Sequence, residues 1–129
     1  MNTLTKESRN AAAPVQDIID RVKTLDWKRI PDDLDAQGCA VIEKLVSADE
    51  CSALTRLYSR DDIFRSRIVM GRHGFGRGEY KYFSYPLPDI ISRLRTSLYR
   101  HLMPIANRWN AAMGIDVRYP AKHADFIER

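Results

Sequence analysis

The chain has 129 residues, of which 44% are hydrophobic and 29% are charged, a balance that is ordinary for one globular domain. Lysine and arginine (21) exceed aspartate and glutamate (17), and this mild excess suggests anionic partners without indicating a dedicated nucleic-acid-binding arm. No run approaches the ~18 apolar residues of a membrane-spanning helix, and the N-terminus lacks the apolar centre of a signal peptide. We therefore expect a cytoplasmic protein with no membrane partner.

The first part of the chain predicts two helices. Residues 1–13 are small and polar, and we expect them to form a flexible N-terminus. Pro14 suits the first turn of a helix. Apolar residues follow it at helical spacing, namely Val15, Ile18, Ile19, Val22 and Leu25. A second helix is predicted at 26–37, ended by Gly38. Its apolar side would carry Trp27, Ile30 and Leu34.

The next part predicts a strand and a capped helix. Residues 39–45, CAVIEKL, have the clearest strand pattern in the chain. Ser47 and Glu50 then have the spacing of a capping box, in which each side chain bonds the backbone amide of the other residue. The helix that follows would bury Cys51, Leu54, Leu57 and Tyr58. Because Cys39 and Cys51 lie in apolar surroundings without a CxxC spacing, we expect both to be buried reduced thiols.

The segment 65–88, RSRIVMGRHGFGRGEYKYFSYPLP, combines five aromatic residues with five Lys/Arg and a single acid. It predicts a β-hairpin, with strands at 67–70 and 79–85 and a glycine-rich turn between them. Cations beside rings suit a surface that meets an anionic or planar ligand. Alternatively, the rings pack into the core while the arginines face solvent, and a two-sided strand can do both. The candidate substrate-binding residues are Arg72, Arg77, Tyr80, Tyr82 and Phe83.

The last part predicts one long helix and a short one. The long helix should run over 89–113, with a kink at Pro104 and an end at Gly114. Its apolar stripe comprises Ile91, Leu94, Leu98, Leu102, Ile105, Trp109 and Ala112. A further helical pattern begins at Pro120, and no cap or glycine closes it. We therefore expect the chain to end before its fold is complete.

Three stretches together resemble a known family: GCAVIEKLVSADECSALTRLY, DDIFRSRIVMGRHGFGRGEYKYFSYPLPDIISRLRTSLY and LMPIANRWN. The resemblance is to iron(II)/2-oxoglutarate-dependent dioxygenases of the prolyl-hydroxylase type, over about residues 26–129. The order of the three stretches is similar to that in a bacterial branch of the family, which is described both as prolyl-hydroxylase-like and as acting on alkylated DNA. It implies hydroxylation coupled to decarboxylation of 2-oxoglutarate, on a prolyl side chain, an alkylated nucleobase or a small molecule. Nucleic acid is therefore a candidate partner.

The same resemblance implies a fold. In that family a double-stranded β-helix, or jelly roll, holds Fe(II) through an HxD pair and a later histidine, and a basic residue binds 2-oxoglutarate. Because this chain has too few strand patterns for eight strands, we expect residues 14–129 to be the N-terminal portion of such a domain, truncated before the metal-binding barrel. The predicted class is α+β, with N-terminal helices, a few antiparallel strands including a hairpin, and one long kinked helix. No catalytic residue, Fe(II) or 2-oxoglutarate site is then expected in this chain alone.

One motif matches the iron-binding pair by letter. His123-Ala124-Asp125 reads as HxD, and residues two apart on a strand point to the same face. The neighbouring residues favour a helix, in which positions two apart diverge by about 200°. We therefore reject His123 and Asp125 as metal ligands.

Three functional hypotheses remain. The first is an N-terminal portion of a 2-oxoglutarate/Fe(II) oxygenase that is inactive alone, its full-length family hydroxylating a substrate or oxidatively demethylating alkylated DNA. The second is a basic nucleic-acid-binding module that uses the hairpin. The third is a degenerate gene product without independent activity.

Overall fold

The computed structural model describes residues 17–128, which form an α+β structure and confirm the predicted class. Its helices are α1 (Ile18–Lys23), α2 (Arg29–Gln37), α3 (Ala48–Leu57), α4 (Asp89–Ala112) and α5 (His123–Ile127). Two strands, β1 (Phe64–Val69) and β2 (Glu79–Phe83), pair antiparallel and confirm the predicted hairpin. The predicted flexible segment 1–13 and the predicted helix start at Pro14 lie outside the described residues.

The core lies where α1 packs against α4. Helix α1 begins at Ile18, where the Asp17 carboxylate accepts a hydrogen bond from the Ile19 amide. Its apolar stripe is narrower than predicted, because Ile19 is exposed. The buried apolar residues among those described are Ile18, Val22, Ile30 and Ile105. Because the apolar core is so small, the elements outside it are oriented largely by polar contacts with their neighbours.

Helix α2 ends as the sequence predicts. Gly38 follows its last turn in the left-handed region, with φ 75°, and its amide donates to the Leu34 carbonyl. A residue with a Cβ is disfavoured in that conformation, which explains the glycine. The buried residue of α2 is Ile30, from the predicted apolar side.

The predicted strand at 39–45 is wrong. These residues form no strand, a turn lies at 43–44, and Val41 is 70% exposed. Lys44 even has a positive φ of 56°, which no regular strand contains. The physical reason is the missing partner: within residues 17–128 the two strands pair only with each other. An alternating pattern cannot form a ladder without a neighbouring strand.

The capping box of α3 is confirmed, but its predicted buried face is not. The Ser47 hydroxyl accepts from the Glu50 amide, and the Glu50 carboxylate accepts from the Ser47 amide. No residue of α3 is buried, and Cys51 and Tyr58 are exposed. Cys39 is exposed as well, so the expectation of buried thiols is wrong. The reason is that no described element packs broadly against α3.

One ion pair connects α1 to α3. Arg21 donates through Nη1 and Nη2 to the two carboxylate oxygens of Glu50, at 2.6 and 2.8 Å. The same guanidinium donates to the Leu45 carbonyl at 2.8 Å, so it also fixes the loop before α3. These bonds from Arg21, together with the Ser47 amide, lower the pKa of Glu50 to about 2.

Helix α4 has nearly the predicted bounds, but its predicted apolar stripe is interrupted, because Leu102 and Ala112 are exposed and only Ile105 of the stripe is buried. Helix α4 runs from Asp89 to Ala112 with Pro104 inside it, and Gly114 follows it with φ 71°. The predicted kink at Pro104 stays a prediction. Helix α5 begins at His123, three positions after the predicted start at Pro120. None of the helices in the described part of the chain is long and apolar enough to cross a membrane.

The Arg21–Glu50 pair predicts a pH-dependent stability. Since the folded pKa of Glu50 is lowered from 4.5 to about 2, its contribution is complete above about pH 4.5 and is lost as pH falls through about 2. We expect Glu50→Gln to lower the free energy of unfolding by about 1–2 kcal/mol at pH 7, and by less at low pH. Urea denaturation at several pH values, followed by circular dichroism, measures this.

The matched control is Glu43→Gln. Glu43 is exposed and forms no ion pair within residues 17–128, so its loss should leave the profile unchanged. Parallel stability profiles for Glu50→Gln and the unaltered chain between pH 2 and 7 would contradict the role of the pair.

Candidate nucleic-acid interface

The hairpin has two faces of different character. In its register Ser66 lies opposite Tyr82 and Ile68 opposite Tyr80, while Arg67 lies opposite Lys81. Because successive side chains point to opposite faces, Tyr80 and Tyr82 share one face and Lys81 and Phe83 share the other. The register shifts between Phe64 and Ser66, which places an extra residue, Arg65, in β1. We call the Tyr80/Tyr82 side the outer face and the Lys81/Phe83 side the inner face.

The inner face attaches the hairpin to the end of α3. Phe83 stacks on Phe64 with ring centroids 4.9 Å apart, and Phe64 meets the Tyr58 ring edge-on at 6.0 Å. Lys81 Nζ lies 4.2 Å from the Tyr58 ring centroid and donates to the Tyr58 carbonyl at 2.6 Å. The Lys81 side chain is only 9% exposed, and its amine also pairs with Asp61. Lys81 and Phe83 therefore hold the hairpin in place.

The outer face presents two tyrosines to solvent. Tyr80 and Tyr82 are 43% and 45% exposed, and their ring centroids lie 5.5 Å apart at an interplanar angle of 84°. The Arg65 guanidinium lies 5.4 Å from the Tyr82 ring centroid. A hydrogen bond with Tyr82 raises the pKa of Tyr80. Because the rings are perpendicular and partly exposed, each can present part of its surface to one planar group, and the two cannot form a continuous stack.

The loop between the strands carries cations at its tip. It begins with a short 3₁₀ helix, Met70–His73, and is closed by a hydrogen bond from the Met70 amide to the Gly78 carbonyl at 2.9 Å. Gly76 and Gly78 have φ of 99° and 113°, a region that side chains disfavour, so the tight return of the chain requires glycine. Arg72 and Arg77 are exposed and form no ion pair within residues 17–128. Both are free to meet an anion.

The five predicted binding residues do not form one cluster. Tyr80 and Tyr82 lie together on the outer face, and Arg72 and Arg77 lie on the loop. Phe83 lies on the inner face against Phe64, away from the two tyrosines. Arg65 is not among the predicted binding residues, because alternation alone does not reveal the irregularity in β1 that lets it reach Tyr82. No sequence signal would have found it.

The residues present do not fit an iron site. His123 and Asp125 lie in helix α5, as predicted, so their side chains diverge by about 200° around the helix. His123 Nδ1 is also in hydrogen-bond contact with Thr96 Oγ1, at 3.2 Å. Within residues 17–128 no group of three or more His, Cys, Asp or Glu side chains is placed to hold a metal ion. The donor set of a facial iron centre is therefore not assembled from these residues.

Comparison with known proteins adds one finding. Residues 78–129 match the model of a family described as an oxygenase, catalysing oxidative methylation of damaged DNA. No curated protein and no solved structure matches the chain. The matched segment contains Tyr80, Tyr82, α4 and α5, and begins after Arg72 and Arg77. This segment is therefore similar to an oxygenase family that acts on damaged DNA, which confirms the expected oxygenase resemblance at that coarse level.

Proposed function

We propose that the chain is part of an oxygenase that acts on damaged DNA and that the outer face of its hairpin contacts the nucleic acid. The observation that carries this proposal is the exposed pair Tyr80 and Tyr82, with Arg65 beside Tyr82. The pair lies inside the segment that matches the DNA-acting family. The inner face, by contrast, is occupied by contacts to Tyr58 and Phe64, so the outer face is the one available to a ligand.

The chemistry of this face suits an unstacked base. Every nucleobase has a planar face, and stacking on an aromatic side chain is worth about 1–3 kcal/mol per base. An enzyme that modifies a base must act on single strands or rotate the base out of the duplex, and a damaged base is easier to extrude. The exposed ring of Tyr80 or Tyr82 would stack on such a base, while Arg72 and Arg77 would contact phosphates.

The oxidation itself is assigned to residues other than those described. We propose that the reaction depends on Fe(II) and 2-oxoglutarate, as the resemblance to prolyl-hydroxylase-type dioxygenases implies. Since His123 and Asp125 diverge on a helix, we assign no chemical step to this chain. Its own contribution would be to bind and orient the substrate.

A nucleic-acid-binding module is the second candidate function. It rests on the same outer face and on the cationic loop, and it requires no recognition of damage. The two functions differ in base preference, because a module that binds through stacking and phosphates alone would not distinguish a methylated base from an ordinary one.

The outer face can be tested by removing both rings. We expect the double variant Tyr80→Ala/Tyr82→Ala to bind a fluorescein-labelled single-stranded oligonucleotide containing one 1-methyladenine about five- to 150-fold more weakly, the loss of one stacked base. Fluorescence anisotropy at 50 mM salt measures the dissociation constants.

The matched control for this experiment keeps the rings. Tyr80→Phe/Tyr82→Phe removes only the hydroxyls and should bind within about two-fold of the unaltered chain. Equal affinity for methylated and unmethylated oligonucleotides would favour the binding module over the oxygenase. Unchanged affinity in the double alanine variant would refute the outer face as the contact surface in either function.

The loop arginines predict a change in salt dependence. If Arg72 and Arg77 each neutralise one phosphate, Arg72→Ala/Arg77→Ala should reduce the slope of log affinity against log salt by about 1.4 for single strands. The loss should be uniform across base sequences, because phosphates carry no sequence information. Arg56→Ala is the control, since Arg56 is an exposed cation of α3 and belongs neither to the hairpin loop nor to its outer face. An identical slope in the loop variant and in Arg56→Ala would exclude the phosphate contacts.

The assignment of the iron chemistry to other residues has its own test. The purified 129-residue chain, supplied with Fe(II), ascorbate and 2-oxoglutarate, should form no succinate above a protein-free control, measured by mass spectrometry. Succinate formation that stops in His123→Ala would overturn this assignment and restore His123 as a ligand.

A further inference from the structure

A cleft of about 320 Å³ lies between α1, α4 and α5, and no residue of the hairpin lines it. Its exposed apolar wall comes from Ile19 of α1, from Ala121 before α5 and from Ala124 in α5, with the fully buried Val22 behind it. This volume is at the lower end of the range for small-molecule sites in proteins. The cleft therefore has room for a small ligand with an apolar part.

The charges around this cleft have one sign. Lys23 reaches it from α1, Arg100 from α4 and Lys122 from the residue before α5, and none of the described lining residues is acidic. None of these three cations forms an ion pair within residues 17–128. Because a concave, partly apolar surface concentrates the field of its charges, three unpaired cations favour an anion here.

Two histidines give the cleft hydrogen-bonding capacity. His123 uses Nδ1 in its contact with Thr96 Oγ1, which leaves Nε2 for another partner. The His101 ring stacks on Trp27 with centroids 4.1 Å apart and planes 4° from parallel, so its orientation is fixed. His101 Nε2 is buried and has no hydrogen-bond partner among the described residues. A buried polar atom without a partner costs free energy, so His101 is a strained point beside the cleft.

Burial affects both rings in the same way. It lowers the pKa of His101, with a further contribution from Arg100, and it lowers the pKa of His123, with a further contribution from Arg95. Both imidazoles are then neutral near pH 7, and each can donate one hydrogen bond and accept one. A ligand that bonds the remaining His123 nitrogen, Nε2, therefore displaces no charge.

From these features we propose that the cleft binds a small anion that carries a planar apolar ring. The ring would lie against Ile19 and the two alanines, and the anionic group would meet Lys23, Arg100 and Lys122. An aromatic phosphate and an aromatic carboxylate share this chemistry. The site is separate from the outer face of the hairpin and does not depend on the proposed DNA contact.

The histidines allow a direct test, because the chain contains three of them. Phenyl phosphate and benzoate are titrated separately into the 129-residue chain while the imidazole resonances are followed by NMR. We expect saturable shifts of His101 and His123 with at least one of these probes, while His73, in the hairpin loop, stays unchanged. The probe that binds more tightly identifies the anionic group. Inorganic phosphate and benzyl alcohol, which carry only one half of the ligand, should bind more weakly.

Variants of the cations complete the test. Arg100→Ala and Lys122→Ala should each weaken binding of the better probe by about two- to five-fold, the usual effect of removing one partly exposed charge. The matched controls Arg56→Ala and Lys28→Ala lie outside the cleft and should leave it unchanged. The proposal is overturned if neither probe gives saturable shifts, if His73 shifts in parallel with the other two, or if phosphate alone binds as tightly as phenyl phosphate.

Discussion

The bidentate ion pair between Arg21 and Glu50 is the contact on which the arrangement of the described chain depends. The buried apolar core is small and lies between α1, α2 and α4, so it cannot by itself orient α3. Glu50 satisfies the Ser47 amide at the start of α3 and the guanidinium of α1 at the same time. Arg21 also bonds the Leu45 carbonyl, so one side chain joins α1, the preceding loop and α3. The Glu50 carboxylate therefore both caps α3 and fixes the orientation of α3 relative to α1.

The position of α3 in turn determines what the hairpin can do. Tyr58, directly after α3, supplies the ring and the carbonyl that hold Lys81. With the inner face fixed in this way, Tyr80 and Tyr82 have to face solvent. The cations of the hairpin thus fall into two groups. Lys81 and Arg67 pair with Asp61 and Glu79 and serve the structure, whereas the guanidiniums of the outer face and loop form no ion pair within residues 17–128. Counting cations in the sequence could not separate these groups.

The parts of the fold that depend on local signals could be predicted from the sequence. The capping box at Ser47, the glycine end of α2, the hairpin and the bounds of α4 each rest on contacts between residues close in the chain. The prediction of a strand at 39–45 was wrong because a strand needs a neighbouring strand to pair with. An alternation of apolar and polar residues does not show whether such a neighbour is present. The expectation that Cys39 and Cys51 are buried was wrong for a related reason. Apolar residues next to a cysteine in the sequence need not cover its side chain in the folded structure. In the candidate site, the sequence shows which residue types are present. The irregularity at Arg65 and the separation of Phe83 from the tyrosines become visible only from the pairing of β1 with β2.

Helix α4 links the two surfaces that have ligand-binding chemistry. It follows β2 in the chain, and it supplies Thr96, Arg100 and His101 to the cleft. Both the outer-face tyrosines and most of the cleft therefore fall within residues 78–129, the segment similar to the DNA-acting oxygenases, whereas the loop arginines fall outside it. The rings and the cleft sit on regular elements, and the arginines sit on a glycine-rich loop. A rigid element holds a planar group in one orientation, and a loop adapts to an irregular backbone. The roles proposed for these residues, base contact by Tyr80 and Tyr82 and phosphate contact by Arg72 and Arg77, thus agree with the rigidity of the strand and the adaptability of the loop that carry them.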